Sequence, residues 1–293
     1  MTEFRRVELA NGISLNVALA GREDSPPVIL LHGFPESHRT WRAIEPLLSH
    51  RFRLIMPDQR GFAGSDRPTD VEAYRSDKLV GDISELADAL ELERFALVGH
   101  DWGGAIAWTA ALTLPERLTH LAIINAPHPV IFQKSLIESA EQRAASQYIA
   151  AFRTPGFEQG IERMGYDAFF KKTFGGHVDL SKFSADEKAR YLADWSEPGA
   201  MTAMLNWYRA SRLVLPPPGL TVPLPDWLLG AFPKVKVPAL VIWAMKDVAL
   251  LPLQLEGLDA LVEDLQIVRL PEAGHFAPWE APDEVAAALD NFL

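Results

Sequence analysis

Leu97-Val98-Gly99-His100-Asp101-Trp102-Gly103-Gly104 is the stretch on which the reading of this chain turns. An apolar run, Phe95-Ala96-Leu97-Val98, leads into it, and a small-residue pattern suited to a helix, Gly104-Ala105-Ile106-Ala107, leads out. Gly-x-Asp-x-Gly in a strand–turn–helix context predicts a sharp corner at a strand end, with the central side chain exposed on it. Serine is the usual occupant of such a corner and attacks acyl carbon. A carboxylate attacks saturated carbon by displacement instead, leaving an alkyl ester that water must then cleave.

Other strand ends supply what such a carboxylate needs. His32-Gly33-Phe34-Pro35 follows the apolar run Val28-Ile29-Leu30-Leu31. A loop N–H there can help hold a developing oxyanion. Asp247 falls just past Val241-Ile242-Trp243-Ala244, and Ile267-Val268-Arg269-Leu270 leads into Glu272-Ala273-Gly274-His275. The chain order is therefore nucleophile Asp101, acid Asp247, base His275. The backbone N–H groups of Phe34 and Trp102, beside two strand ends, are the expected oxyanion-hole pair. Asp259 and Glu263 compete with Asp247 for the acid's place but fall in a helical pattern. A lone histidine is most often a core residue; His275 stands in a loop after Gly274, which favours chemistry. His32 and His100 are expected to brace loops, and Glu36 either lines the pocket or is a solvated loop acid.

The bulk numbers narrow the function classes. The chain has 293 residues, 48% of them apolar and 23% charged, ordinary values for a globular enzyme. A net charge of −11 disfavours nucleic-acid or anionic-membrane partners. No apolar stretch approaches a membrane span, and Met1-Thr2-Glu3-Phe4-Arg5-Arg6 lacks an apolar signal region, so a cytoplasmic location is the expectation. Without cysteine, disulfide and thiolate chemistry are excluded.

Strand and helix patterns alternate in the first part of the chain. Residues 4–9 and 13–19 flank Asn11-Gly12, a hairpin signal, and 27–32, 53–57, 95–99 and 119–125 read as buried strands. Helical patterns lie near 40–48, 77–91 and 103–113. This alternation predicts an α/β fold with a mostly parallel central sheet and helices on both faces. Between about 130 and 230 only helical patterns appear, at Leu136–Phe152, Gly156–Thr173, Ala185–Asp194 and Ala200–Leu213, closed by a proline-rich return from Pro216 to Pro225. Alternation resumes at Ala239. The expected division is a core of residues 1–129 and 231–293, interrupted by a helical cap over 130–230.

With these features the chain resembles the α/β-hydrolase superfamily and, within it, the epoxide hydrolase branch, which is related to the haloalkane dehalogenases. The resemblance runs over nearly the whole chain and rests on His32-Gly33-Phe34-Pro35-Glu36-Ser37, Asp58 through Asp66, Gly99 through Gly104, and Leu205-Asn206-Trp207-Tyr208-Arg209. It implies that two cap tyrosines hydrogen-bond the epoxide oxygen. Tyr208 matches one through the Asn-Trp-Tyr-Arg pattern. Tyr148, just before Phe152-Arg153-Thr154-Pro155-Gly156, matches the other, with Tyr166 and Tyr191 as alternatives. The implied substrates are a small epoxide and water, the product a vicinal diol, with no metal or organic cofactor. A haloalkane dehalogenase shares the aspartate elbow but needs N–H donors for halide. Phe34 counts against it, while Trp102, Trp195 and Trp207 keep it open. A catalytically silent ligand-binding member of the fold is the remaining alternative.

Overall fold

Residues 2–220 and 222–293 are described in the computed structural model. Eight strands form one sheet: β1 (Glu3–Glu8), β2 (Ser14–Ala20), β3 (Pro27–Leu31), β4 (Arg53–Pro57), β5 (Phe95–His100), β6 (Leu118–Ile124), β7 (Ala239–Ala244) and β8 (Leu265–Leu270). Their spatial order is β1-β2-β4-β3-β5-β6-β7-β8. The β1–β2 and β2–β4 pairs are antiparallel and every later pair is parallel. The Asn11-Gly12 signal does form the hairpin. Gly12 has φ +84° with open space around its α-carbon, so a left-handed turn costs little there.

The central strands are buried on both faces, and their alternation divides the core in two. Ile29, Leu97, Ile123 and Val241 point to one face. That face is covered by the helices Ser76–Ala89 and Trp102–Thr113. Val28, Val98, Ile124 and Ile242 point to the other, where Trp41, Ile44, Val285 and Leu289 cover them. Six parallel strand ends, those of β3 to β8, thus open onto loops along one edge of the sheet. Such carboxyl ends are where ligands gather in open α/β sheets.

Between β6 and β7 the described residues contain helices and no strand. The sequence pattern differs from the structure in how these helices are divided. Leu136–Phe152 reads as one helix but is three segments, Pro129–Glu138, Ala140–Ala145 and Gln147–Arg153. Ser139 takes an extended conformation and its hydroxyl accepts the Gln142 N–H at 3.1 Å, starting a new helix instead of continuing the old one. Gly165, at φ +87°, likewise divides Phe157–Met164 from Tyr166–Phe174. The helix Ala200–Ala210 stops short of the Leu213 expected, because Ser211 turns extended. Arg153 holds that exit by donating to the Tyr208, Ser211 and Leu213 carbonyls at 2.9–3.0 Å.

His128 marks the start of this helical segment. Its Nδ1 accepts the Val130 N–H at 3.3 Å, and its fully buried ring packs on Trp108 and Phe232. Burial pushes its pKa down from 6.5 to about 4. The folded value lies below the unfolded one, so this stability is complete above pH 6.5 and is lost as pH falls towards 4. The difference corresponds to about 3 kcal/mol. Denaturant titrations across this range should show His128→Asn, which keeps an acceptor but cannot titrate there, with a shallower acid loss than the parent chain. Identical pH slopes would contradict this account.

Candidate active site

Asp101 follows β5 directly and immediately precedes the helix Trp102–Thr113. Its φ of +49° puts an L-residue in a disfavoured region, as an elbow demands. The turn closes through hydrogen bonds from the Asp101 N–H to the Ile124 carbonyl (3.2 Å) and from the Ala105 N–H to the Asp101 carbonyl (2.9 Å). Two glycines make room. A β-carbon on Gly33 would lie 2.5 Å from the Asp101 side chain, and one on Gly103 would lie 2.3 Å from the Leu31 carbonyl oxygen. The loop after β3 can therefore approach the elbow closely, and the Phe34 N–H donates to Asp101 Oδ1 at 2.9 Å. Trp102 opens its helix, so its own N–H lacks an intrahelical acceptor.

The other carboxylate oxygen, Oδ2, faces His275 Nε2 at 3.6 Å. On the far side of the ring, His275 Nδ1 lies 2.8 Å from Asp247 Oδ2. Asp247 is buried and fully engaged. Its Oδ1 accepts the Ala249 and Leu250 N–H groups at 2.8 and 2.9 Å, and its Oδ2 also accepts from Asn125 Nδ2 at 2.8 Å. Burial alone would raise the Asp247 pKa, but the His275 cation and these hydrogen bonds outweigh it and hold the carboxyl low. Burial works against a charged His275. The Asp247 charge and hydrogen bond, with the Asp101 charge, overcome it and push the imidazole up to about 9.

Two cavities meet at Asp101. One, of about 360 Å³, is walled by Trp102, Ile106, Thr109, Phe132 and Leu213 among others. A second, of about 500 Å³, is walled by Phe34, Phe152, Phe157, Phe169, His275 and Phe276. Asp101, Tyr148 and Tyr208 line both. Among the described residues no hydrogen bond takes up the proton of either hydroxyl, while the Tyr208 oxygen accepts from the Trp102 indole. Burial, then the nearby Asp101 charge, pushes both phenols well above their ordinary pKa, so both stay protonated. The remaining tyrosines are placed differently. Tyr74 borders the first cavity but donates its hydroxyl to the Pro68 carbonyl at 2.7 Å. Tyr191 is buried among Phe170, Phe174 and Trp195, and Tyr166 lies on neither cavity wall.

The competing candidates lie elsewhere or are otherwise occupied. Asp259 is on the helix Leu258–Leu261 and Glu263 in the bend after it, both exposed. The Trp195 indole donates to the Pro35 carbonyl and the Trp207 indole to the Arg60 carbonyl, both at 2.9 Å. His32 bridges its own loop and Gln59, with Nδ1 2.9 Å from the Gly33 carbonyl and Nε2 accepting the Gln59 N–H at 3.0 Å.

Glu36 neither lines the pocket nor meets solvent, contrary to both readings of its sequence position. It is buried, 3.0 Å from His100 Nδ1, and accepts from the Trp279 indole at 2.7 Å. His100 Nε2 in turn lies 2.8 Å from the His275 carbonyl oxygen. Burial would raise the Glu36 pKa, but His100 and the Trp279 indole hold it below its usual range. Glu280 secures the same loop, accepting the Gly274 N–H at 2.7 Å and the Phe276 N–H at 2.9 Å. The sequence pattern does not point to Asn125 or Glu280 as site residues, nor to Glu36 as a buried support of the His275 loop. The available signal for Asn125 was its place at the end of β6, beside the strand ends that carry Asp101 and Asp247.

Comparison with known proteins gives a consistent picture. The sequence profile described as alpha/beta hydrolase fold matches residues 26–282. The AB hydrolase superfamily protein YfhM of Bacillus subtilis is 38% identical over 97% of this chain and 95% of its own length. Epoxide hydrolase 3 of Xenopus tropicalis is 31% identical over 97% of this chain and 75% of its own. A solved structure described as one of the novel epoxide hydrolases of the alpha/beta hydrolase superfamily, from metagenomes of hot environments, superimposes with a TM-score of 0.91. It is 46% identical and covers all of this chain, with 98% of its own chain matched.

Asn125 offers a direct test of the site's scaffold. Besides donating to Asp247, it accepts the Ala244 N–H at 3.0 Å through Oδ1. Asn125→Ala should leave the Ala244 N–H buried without a partner and take one donor from Asp247, lowering stability by about 1–3 kcal/mol. It should also raise the pKa of the Asp247–His275 pair's acid member, moving the acid limb of the activity profile to higher pH. An unchanged melting temperature and acid limb would contradict the role drawn for it.

Proposed function

The chain belongs to the α/β-hydrolase superfamily, and on that premise we propose that it is an epoxide hydrolase that works through a covalent ester on Asp101. The observation that carries this reading is the sharing of the cavity walls by a carboxylate and two protonated phenols whose protons are free to be donated. An epoxide oxygen leaves poorly as an alkoxide, and a donor must meet it as the ring opens. Tyr148 and Tyr208 suit that task because a phenol combines an acidic proton with an apolar body that tolerates burial.

Asp101 Oδ2 attacks a ring carbon and the carbon–oxygen bond opposite breaks. A phenol passes its proton to the departing oxygen, giving a hydroxyalkyl ester. Water is then activated by His275 and adds to Asp101 Cγ. The resulting oxyanion forms on Oδ1, which already accepts the Phe34 N–H, and the Trp102 N–H is the second donor. One such donor is worth about 3 kcal/mol of barrier. Collapse expels the diol's alkoxide, which takes the proton from His275. The new carboxyl proton returns to the phenolate, closing the cycle. Residues 130–230 act as a cap that carries both tyrosines, and we place the enzyme in the cytoplasm.

The charge balance gives His275 its timing. In the free site the negative charges of Asp247 and Asp101 hold it protonated up to about pH 9. A protonated imidazole cannot deprotonate water. Esterification neutralises Asp101 and removes one of those supports, so the imidazole's proton affinity falls; it releases its proton to solvent before the water attacks and takes one back when the Asp101 charge is restored.

A haloalkane dehalogenase reading loses support from the indoles. Trp195 and Trp207 are both engaged by backbone carbonyls, which leaves Trp102 without the second N–H donor a halide site needs. A silent binding role gives no reason for the fully hydrogen-bonded Asp247–His275 pair.

Diol formation from epoxides, without halide release from haloalkanes, is the expected activity. His275→Gln should still form the ester, seen as a mass increase on the peptide holding Asp101, but fail to turn over. Absence of both diol and trapped ester would overturn the reading. Tyr148→Phe and Tyr208→Phe should each slow ester formation by roughly 10–100-fold in rapid-mixing experiments while leaving its hydrolysis nearly unchanged. Unaltered alkylation in both variants would move the acid's role elsewhere. Asp101→Asn imitates the neutral ester, and NMR titration of the His275 ring should find its pKa lowered relative to the parent. An equal or higher value would contradict the timing argument.

A further inference from the structure

We propose that the preferred substrate is an internal epoxide carrying an apolar substituent on each ring carbon, because two separate cavities diverge from the same carboxylate and phenols. The inference rests on the epoxide hydrolase reading and specifies its substrate class. Asp101, Tyr148 and Tyr208 are common to the two spaces, which otherwise have different walls. Ile106 and Thr109 of the helix after the elbow, with Phe132 and Leu213, enclose the first. Phe34, Phe276 and three aromatic residues of the helical segment, Phe152, Phe157 and Phe169, enclose the second.

Backside attack fixes how an epoxide must lie here. The ring oxygen points to the phenols and the attacked carbon faces Asp101. The carbon–carbon bond and its substituents then extend to the sides of the carboxylate–phenol axis. A terminal epoxide has one arm and fills one space, leaving the other to water against apolar walls. An internal epoxide has an arm for each. The volumes, about 360 and 500 Å³, each lie within the range of a ligand-sized pocket. Either one exceeds what the three-membered ring alone requires. Apolar burial on both sides also holds the ring from turning about the attack line, so the second arm contributes to positioning as well as to affinity.

The hydroxyls and amides on the walls of the first space do not argue for a polar second arm. Thr109 donates to the Ala105 carbonyl at 3.0 Å, and Gln133 both donates to and accepts from the Val214 backbone at 2.8 Å. Arg75, Ser76 and Arg212 also border this space but are half-buried or exposed, so the buried wall an arm would meet beside Asp101, formed by Ile106 and Phe132, is apolar.

The test compares a symmetric internal alkene oxide with the terminal alkene oxide of the same carbon number, on the parent enzyme and on two variants that each obstruct one space. Thr109→Phe intrudes only on the first space and Ala151→Trp only on the second. For the parent enzyme, kcat/KM for the internal oxide should exceed that for the terminal one by roughly tenfold. Each variant should collapse that ratio, and an aryl or alkyl terminal epoxide should lose far less. A parent ratio at or below one overturns the inference whether or not the variants fold, while diol formation from the terminal oxide keeps the epoxide hydrolase reading intact. A preserved ratio in both folded variants also overturns it. Absence of diol from either oxide removes the underlying reading and this inference together.

Discussion

The closeness of the β3 and β5 loop ends underlies the rest of the site. Asp101 adopts φ +49° with ψ −119°, a sparsely populated conformation that costs an L-residue about 1–3 kcal/mol. It is held there by the strand before it, the helix after it and the hydrogen bond to Ile124. The bare α-carbon of Gly33 lets the neighbouring loop reach the carboxyl, and only at that separation can the Phe34 N–H meet Oδ1. Fixing Oδ1 also fixes Oδ2, and with it the direction in which the carboxylate faces the cavities and His275. A side chain at Gly33, or a relaxed backbone at Asp101, would disturb all of these at once.

Electrostatics builds on that geometry. One imidazole lies between two carboxylates with unequal surroundings. Asp247 is enclosed by Asn125 and two backbone N–H groups, so its charge is permanent. Asp101 is open to the cavities, and in our proposal its charge is consumed and restored in every cycle. The imidazole responds to the difference between them. The two phenols share the cavity walls with the same carboxylate, kept protonated by burial and by its charge. The acid for ring opening and the base for hydrolysis can therefore act in turn without a conformational change.

The sequence made the parallel core plain because buried strands carry continuous apolar runs and end at small residues. Phe95-Ala96-Leu97-Val98-Gly99 and Val241-Ile242-Trp243-Ala244 are the clearest cases, and the positions of Asp101, Asp247 and His275 at strand ends follow from them. The helical segment was legible as helical but not in its divisions. Ser139 and Gly165 interrupt helices through local capping and backbone preference, which are weak signals inside long amphipathic patterns. Tyr148 was suggested by a resemblance and not by any local pattern. The supports were hidden for another reason. Glu36, His100 and Trp279 are far apart in the chain, and only folding reveals that an acidic residue in a loop is buried against an indole and an imidazole. Contacts of that kind have no period and no fixed spacing to read.

The central claim is that Asp101 itself becomes bonded to substrate carbon, and isotope transfer tests it most directly. A single turnover in heavy-oxygen water, with enzyme in excess over epoxide, should place the heavy oxygen in the Asp101 carboxyl and leave the first diol unlabelled. Mass spectrometry of the elbow peptide and of the diol reads both. Heavy oxygen in that first diol, with an unlabelled Asp101, would mean that water attacks the epoxide directly and would contradict the account.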